Sequence, residues 1–390
     1  MTENYTAPEN YTAPENYTAL YEQHKIAGAS FTDFGGWQMP LKYSSELAEH
    51  HAVRNAAGLF DLSHMGEVWV TGPDAGAFLD YALAGKLSAV AVRKAKYSLI
   101  CQEDGGIIDD LITYRLPAAA DGTAKYLVVP NAGNAKVVAA ALAERAAAFD
   151  VVVDDVSAAT SLIAVQGPNA EAILLQLVPA EQHSLVTELK YYAAVEVGIN
   201  GQELLLARTG YTGEDGFEIY IPNEDAAGLW DALLEVGEGH GLIPAGLACR
   251  DSLRLEAGMP LYGNELSREG NPYAAGLGPV VSLKKESDFV GRAVLAELKE
   301  LGAGSTSGRK LVGLKGLGRR AGRSHYPVLK DGNVVGEVTS GQPSPTLGYP
   351  IALAYVDVEH SAPGTALDID LRGKPEPFEV VELPFYKRQK

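Results

Sequence analysis

The pattern of apolar and polar residues along this 390-residue chain predicts both helices and strands in its first part. Near the C-terminus it predicts short strands alone. Residues 133–149 and 225–236 have the apolar pattern of two helices. A Gly- and Ser-rich segment, residues 302–308, predicts a linker. Beyond it, glycine and proline interrupt short strand-like runs, a spacing typical of a small antiparallel barrel or jelly roll. These runs are Leu311–Leu314, Val334–Thr339, Ile351–Val356 and Leu367–Leu371.

A β-hairpin is predicted around Asp104-Gly105, because strand-like runs lie on both sides of this turn. Its register places Tyr97 opposite Ile112 and Leu99 opposite Asp110. Side chains alternate between the two faces of a strand. One face of the hairpin then carries Tyr97, Asp110, Ile112 and Tyr114.

Two adjacent carboxylates lie in this hairpin, and the alternation places Asp109 on the face opposite to Asp110. A carboxylate among tyrosine and isoleucine is costly to bury without a partner. The alternative is that both aspartates are exposed or bound to nearby backbone N–H groups. The spacing favours that alternative for Asp109 and leaves both interpretations open for Asp110.

Three glycines in residues 210–216 predict a tight turn, and the side chains of the strand that follows it also alternate between two faces. Phe217, Ile219 and Ile221 form its core face, and Glu218 and Tyr220 form the opposite face. An exposed face would leave Glu218 in solvent. A cavity on that side would instead make this carboxylate a bidentate acceptor for paired N–H donors.

A strand, a Gly-Pro turn and a helix follow one another twice, in residues 70–79 and 165–174. Two domains of similar βαβ-type build, related by duplication, would explain the repeat. The alternative is a coincidence between two copies of a common turn.

Composition excludes several classes of function. A net charge of −18 argues against binding to nucleic acid, since phosphate backbones require a basic surface. Cys101 and Cys249 lie among apolar residues and can form neither a disulfide framework nor a thiolate metal site. Without an apolar run long enough for a membrane span, or a secretory signal, we expect a cytoplasmic protein. Residues 3–20 repeat Glu-Asn-Tyr-Thr-Ala-Pro, so residues 1–18 are predicted to be a disordered tail.

Residues 246–264 contain two arginines one turn apart, Arg250 and Arg254, on an otherwise apolar helix. Gly258 and Pro260 end that helix. Arginine on a helix that buries one face needs a carboxylate or a ligand with planar acceptors. The sequence therefore predicts either an ion pair or a ligand contact for each guanidinium.

Other candidate groups carry less chemistry. Asp61, Ser63 and His64 lack the nucleophile-elbow pattern of a hydrolase, so we expect His64 to be a structural hydrogen-bonding residue and Met65 to pack. The pair His50-His51 lacks the spacing of metal ligands. For Tyr191-Tyr192, a strand with one ring inside and one outside is a sufficient interpretation.

The chain from about residue 20 to residue 385 resembles the glycine cleavage T-protein family, the folate-dependent aminomethyltransferases. The motifs that carry this resemblance are residues 34–40, 60–66, 105–112, 166–168, 210–216, 246–264 and 339–345. A departure from the family pattern is Gly35 before Gly36-Trp37, where alanine is common.

The resemblance implies an α+β protein of three domains in a cloverleaf around a central folate cavity. The first two are expected to be interleaved ferredoxin-like units and the third a C-terminal β-barrel or distorted jelly roll. The expected segments are residues 19–68 with 152–264, residues 69–151 with 265–301, the linker 302–308, and the barrel 309–390.

The resemblance also implies the site. Asp110 matches the family's catalytic aspartate, Glu218 its pterin-binding acid and Arg250 its folate-binding arginine. The strand alternation had already selected Asp110 and Glu218 as candidates. Further matches to cavity-lining positions are Met65, Tyr97, Tyr114, Asn131, Tyr191, Tyr192 and Tyr211. No metal is expected.

A member of this family is expected to take an aminomethyl group from the lipoyl arm of the H-protein. It passes the methylene to tetrahydrofolate and releases ammonia and a dihydrolipoyl thiol. A carboxylate at Asp110 would stabilise the positively charged, iminium-like carbon and could take a proton. The H-protein is acidic, so a basic run is the predicted docking and polyglutamate-attracting surface, with an ordinary solvated loop as the alternative. The residues are Arg309, Lys310, Lys315, Arg319, Arg320 and Arg323, with Lys387, Arg388 and Lys390 in the tail.

Two other functions remain open at this stage. One is a folate-dependent demethylase, which would be a separate enzyme, because the flavin motif of a fused sarcosine or dimethylglycine dehydrogenase is absent. The other is a non-catalytic folate-binding accessory protein. Asp110, and the absence of the Lys-Gly-Cys motif of such proteins, favour catalysis.

Overall fold

The computed structural model describes residues 16–302 and 308–388. The N-terminal repeat up to residue 15, most of the predicted linker and Lys390 lie outside the described residues. Within the described part, nine α-helices form: α1 Tyr21–Ile26, α2 Glu46–Asn55, α3 Ala75–Ala82, α4 Ala135–Arg145, α5 Ala170–Leu174, α6 His183–Thr187, α7 Asn223–Gly237, α8 Leu247–Glu256 and α9 Arg292–Leu301. The two helices predicted from the apolar pattern are confirmed as α4 and α7.

The strands of the described ranges are β1 Ser30–Phe34, β2 Trp37–Lys42, β3 Ala57–Asp61, β4 Val68–Thr71, β5 Lys94–Cys101, β6 Ile107–Leu116, β7 Lys125–Val129, β8 Val152–Asp155, β9 Thr160–Gln166, β10 Ala194–Ile199, β11 Gln202–Ala207, β12 Gly216–Pro222, β13 Leu242–Pro244, β14 Arg309–Gly316, β15 Pro327–Lys330, β16 Asn333–Pro343, β17 Pro350–Asp357, β18 Ala366–Asp370 and β19 Pro375–Val381. They form a β1–β2 ribbon, a six-stranded sheet (β10-β11-β12-β9-β3-β13), a five-stranded sheet (β5-β6-β7-β4-β8) and a closed barrel (β14-β17-β16-β15-β18-β19). The α+β class and the C-terminal barrel are thus confirmed.

The hairpin β5–β6 has the predicted register. Tyr97 pairs with Ile112, and Leu99 pairs with Asp110. The pairing shifts near the turn, where Ile100 faces Asp109 and Cys101 faces Ile107. This irregularity lies beside the two aspartates and limits how far strict alternation describes them.

Both Gly-Pro turns connect a strand to a helix, as predicted, and each glycine is required by its surroundings. Gly72 and Gly167 have φ values of +142° and +135°. A Cβ at Gly72 would lie 2.3 Å from the Asp150 carbonyl oxygen, and one at Gly167 would lie 2.5 Å from the Ala56 carbonyl oxygen. The two turns belong to different sheets, which gives the five- and six-stranded sheets the same local element.

Two segment boundaries differ from the sequence expectation. The strand β8, placed in the first domain by the expected boundaries, pairs with β4 in the five-stranded sheet. At the N-terminus, Thr18 is buried and its hydroxyl donates to Asp61 at 2.6 Å, and Asn16 pairs with Trp37. Ordered structure therefore includes residues 16–18, because Thr18 supplies a donor to a buried carboxylate.

Helix α8 joins the six-stranded sheet to the barrel. Its C-terminal residue, Glu256, is fully buried and accepts hydrogen bonds from Ser344 and Thr346 of the barrel loop. The same carboxylate accepts from Arg54 of α2 at 2.7 Å. The preceding residue, Leu255, packs with Ile351 and Leu353 of the barrel. We call this contact region the α8–barrel junction.

None of the helices in the described ranges has the length and apolar character needed to cross a membrane.

Candidate functional site

A cavity of about 510 Å³ lies where the hairpin β5–β6, strand β12, the loop after β7 and helix α8 meet. Its wall contains eight of the ten residues predicted for the site: Met65, Tyr97, Asp110, Asn131, Tyr192, Tyr211, Glu218 and Arg250. A space of this size, with aromatic walls and a few convergent polar groups, suits a planar ligand of folate dimensions.

The Asp110 side chain faces this cavity, as the hairpin alternation predicts. Its Oδ2 accepts a hydrogen bond from the Tyr97 hydroxyl, and its Oδ1 accepts one from Asn131 Nδ2, each at 2.9 Å. Burial raises the pKa of Asp110 to about 6, although both hydrogen bonds oppose the shift. The cavity wall therefore holds a carboxyl group whose two oxygens are both fixed by hydrogen bonds.

Glu218 lies in the same cavity wall, on the face of β12 opposite to Phe217 and Ile219. Its Oε2 accepts hydrogen bonds from the Thr209 hydroxyl and, at 3.4 Å, from the Tyr114 hydroxyl. Burial raises its pKa, and the Thr209 hydrogen bond and the Arg250 charge lower it. Within the described chain its Oε1 accepts no hydrogen bond, so this oxygen can accept from a ligand.

The two arginines of α8 have different partners. Arg254 is buried and forms ion pairs with Asp251 at 2.7 Å and with Glu265 at 3.1 Å. The Arg250 guanidinium stacks on the Tyr211 ring, 4.7 Å from its centroid, and makes no side-chain hydrogen bond to the described residues. The sequence predicted either an ion pair or a ligand contact for each arginine. Arg254 forms the ion pair, and Arg250 has donors that face the cavity and are free to contact a ligand.

Two predicted residues do not line the cavity. Tyr114 is fully buried behind the wall, where its hydroxyl contacts Glu218 and Thr209. Tyr191 is 44% exposed, and the guanidinium of Arg388 lies 5.8 Å from its ring centroid. Tyr192, with a left-handed φ of +58°, turns its ring inward instead.

The expectation for His64 was wrong. Both of its ring nitrogens are buried without a hydrogen-bond partner among the described residues, and the ring lies against Phe34 in the cavity wall. Burial and the Arg250 charge lower the pKa of His64 to about 3, so the imidazole is neutral. Asp61 instead accepts from Thr18 and His24, which also excludes a Ser63-His64-Asp61 triad.

Sequence reasoning missed part of the wall. The additional lining residues include Phe34, Asn134, Thr209, Met259, Tyr262 and Leu277. Met259 and Tyr262 lie inside the motif at residues 246–264, so proximity to Arg250 was an available sequence signal for these two.

The arrangement can bind a planar heterocycle and stabilise positive charge. Glu218 and Arg250 offer an acceptor and several donors at one part of the cavity, and Asp110 offers a negative charge at another. No group of three His, Cys, Asp or Glu residues in the described chain could hold a metal ion.

The basic run is partly neutralised. Arg309 pairs with Asp357, and Arg320 pairs with Glu376. Arg323 lines a second pocket that shares Tyr211 and Arg250 with the cavity. In the C-terminal tail, Arg388 pairs with Asp215 at 3.2 Å.

The chain has close relatives of known type. It matches the GCVT N-terminal domain family over residues 20–285 and the glycine cleavage T-protein C-terminal barrel domain family over residues 309–387. A curated aminomethyltransferase of Streptomyces coelicolor is 58% identical over 373 residues, covering 95% of this chain and 98% of the relative. One of Bacillus subtilis is 46% identical over 370 residues, with 95% and 98% covered.

A solved structure also matches. The crystal structure of glycine cleavage system aminomethyltransferase T from Bartonella henselae has a TM-score of 0.86 and 38% sequence identity. The match covers 95% of this chain and 98% of that chain. The likeness therefore extends over both sheets and the barrel.

Proposed function

Because this chain belongs to the glycine cleavage T-protein family, we propose that its central cavity is the site of a tetrahydrofolate-dependent aminomethyl transfer. The enzyme takes the S-aminomethyl group from the lipoyl arm of the H-protein and passes the methylene to tetrahydrofolate. The carbon–sulfur bond breaks to leave the dihydrolipoyl thiol, and the amino group leaves as ammonia. The observation that carries this proposal is the fixed Asp110 carboxylate in a cavity that also holds the free groups of Glu218 and Arg250.

Tetrahydrofolate fits the free polar groups of the cavity. The aminopyrimidinone edge of its pterin presents two parallel N–H donors, which one carboxylate can accept together. Glu218 supplies that carboxylate, and its Oε1 has no competing partner in the described chain. Arg250, held over Tyr211, supplies donors for the carbonyl or carboxylate oxygens of the same molecule.

Asp110 is the proposed catalytic residue. Positive charge develops on the transferred carbon as its bond to sulfur or nitrogen breaks, and a preorganised carboxylate in a water-poor cavity stabilises that charge. Tyr97 and Asn131 hold one oxygen each, so the carboxylate needs no reorientation during the reaction. With a pKa of about 6, the same group is also suited to accept a proton from a folate nitrogen near neutral pH.

Formation of methylenetetrahydrofolate from aminomethyl-loaded H-protein is the deciding assay. Product and released ammonia in equal amounts support the proposal. A demethylase would instead release product from an N-methyl substrate without H-protein. An accessory protein would bind folate and turn over neither substrate. The cytoplasmic location predicted from the sequence stays a prediction.

Replacing Glu218 with alanine is expected to weaken tetrahydrofolate binding about 10- to 100-fold, because hydrogen bonds to a charged group contribute about 1.5–3 kcal/mol. Titration calorimetry measures the dissociation constant directly. Glu203→Ala on the adjacent strand β11, where the side chain is exposed, is the matched control and should bind normally. Equal affinity in the Glu218 variant would contradict the pterin contact.

Association with the H-protein should weaken as salt increases, because the docking partner is acidic and the basic run supplies the complementary charge. We expect the KM for loaded H-protein to increase with ionic strength, and to increase further in Arg319→Glu. Neither Arg319 nor Lys310 forms an ion pair in the described chain, so neither substitution breaks one. Because Lys310 lies at the other end of the basic run, comparing Lys310→Glu with Arg319→Glu shows whether the change in KM depends on one end only. A KM that does not respond to salt would argue for the solvated-loop alternative.

A further inference from the structure

Asp109 is a fully buried carboxylate that the proposed reaction does not use. Its side chain is absent from the cavity wall, although its neighbour Asp110 is part of it. Isolated buried carboxylates are costly, so such a group needs several donors. Asp109 has three: the backbone N–H of Asn131 at 2.8 Å, Asn131 Nδ2 at 2.9 Å and Asn134 Nδ2 at 2.8 Å.

The Asn131 side chain lies between the two carboxylates. Its Nδ2 is 2.9 Å from Asp109 Oδ1, from Asp110 Oδ1 and from the Asp110 carbonyl oxygen. All three partners are acceptors, so only the NH₂ side of the amide can occupy this position. If the Asn131 amide were turned over, its carbonyl oxygen would face the three acceptor oxygens, and their partial negative charges would repel each other.

Asp109 therefore determines where the Asn131 amide is held. It binds both the backbone and the side chain of Asn131, and through Asn134 it also fixes the start of the segment before α4. Asn131 in turn holds one oxygen of Asp110, and Tyr97 holds the other. If Asn131 were released, the Asp110 carboxylate would keep only the hydrogen bond from Tyr97 and could rotate.

We propose that Asp109 is a positioning residue: through Asn131 it sets the direction of the Asp110 carboxylate toward the transferred carbon. This inference rests on the proposed function, because it assumes that Asp110 faces the reacting carbon. The Asp109 side chain itself does not line the cavity.

The test is Asp109→Asn in the full chain, assayed with aminomethyl-loaded H-protein and tetrahydrofolate. Asparagine offers one acceptor oxygen where three donors converge, so Asn131 should be displaced. We expect kcat to fall about 10- to 100-fold, the range for a small misplacement of a catalytic group. The tetrahydrofolate dissociation constant should stay close to wild type, since Glu218 and Arg250 are on other elements.

A double-mutant cycle separates positioning from simple stabilisation. If Asp109 acts through Asn131, the variant Asp109→Asn with Asn131→Ala should lose no more kcat than Asn131→Ala alone. Additive losses in kcat would overturn the proposal. So would a melting temperature that falls while kcat stays unchanged.

Asp80→Asn is the matched control. Asp80 is also buried and accepts from the backbone N–H groups of Leu87 and Ser88, but it lies outside the cavity wall. It should lower the melting temperature and leave kcat unchanged. If Asp109→Asn does not fold, Asn131→Ala removes the same bridge from its other end, and an unchanged kcat there would overturn the proposal. A wild-type enzyme without transfer activity would overturn the proposed function instead.

Discussion

Asp110→Asn should lower kcat for aminomethyl transfer by about 10²- to 10³-fold, the loss typical of removing a preorganised electrostatic group. Asparagine has nearly the same shape, so the backbone around the cavity should stay in place, although its NH₂ group faces one of the two donors that Asp110 binds. The negative charge, however, is lost at the position where Tyr97 and Asn131 hold it. Titration with tetrahydrofolate should give an affinity close to wild type, because the proposed pterin contact is Glu218.

The pH dependence of kcat gives a second measurement on the same residue. Burial raises the pKa of Asp110 to about 6, and the proposed mechanism uses its ionised form. Wild-type kcat should therefore decrease as the pH falls through about 6. In Asp110→Asn this acid limb should weaken; Asp109, whose pKa burial raises to about 7, titrates in the same range and accounts for any limb that remains. Asp104→Asn, in the exposed turn of the same hairpin, is the control and should keep both kcat and the limb. Full activity in the Asp110 variant would refute the mechanism.

Glu256→Gln should destabilise the protein by about 1.5–3 kcal/mol, the range for hydrogen bonds to a charged group, since Arg54 keeps its second ion-pair partner Glu214 at 3.0 Å. The carboxylate accepts from Arg54, Ser344 and Thr346, with His50 Nε2 at 3.2 Å. A glutamine places an NH₂ group among these donors. Urea denaturation measures the change in the free energy of unfolding. Glu235→Gln on the exposed face of α7 is the control, with an expected change below about 0.5 kcal/mol.

The Glu256 contribution should also depend on pH. Burial alone would raise the pKa of this carboxyl, but the hydrogen bonds from His50 and Ser344 and the charge of Arg54 lower it to about 2. A lowered pKa in the folded state stabilises the fold above the unfolded value of 4.5, and this stabilisation is lost as the pH falls toward 2. Wild-type stability should therefore decrease over this range, and that of the variant should decrease less. Parallel curves would show that the carboxylate does not contribute as an anion.

Strand alternation predicted which face of its strand each of the two cavity carboxylates, Asp110 and Glu218, occupies. The turn at Asp104-Gly105 sets the register of β5–β6, and this register placed Asp110 and Tyr97 on the same face of the hairpin. The same argument placed Glu218 opposite Phe217 in β12. These predictions succeed because the two-residue period of a strand depends on local geometry and needs no knowledge of the rest of the fold.

Contacts between distant segments were not predictable in this way. The bridge from Asp109 to Asn131 depends on the packing of β6 beside β7 and on the irregular pairing near the turn. His64 illustrates the same limit, because its lack of partners is a property of the assembled cavity. The strands β15 and β19 were missed because each begins with proline, a residue that argues against a strand when only the sequence is known.

The α8–barrel junction has a consequence for how substitutions in the C-terminal third are transmitted. Helix α8 presents Arg250 to the cavity, while Arg254, one turn later, binds the Ser340 hydroxyl in β16 at 2.7 Å. A shift of the barrel would move the same helix that carries the cavity-facing guanidinium of Arg250. Substitutions of barrel residues that bind helix α8, such as Ser340 and Ser344, should therefore change the position of Arg250 without touching the cavity.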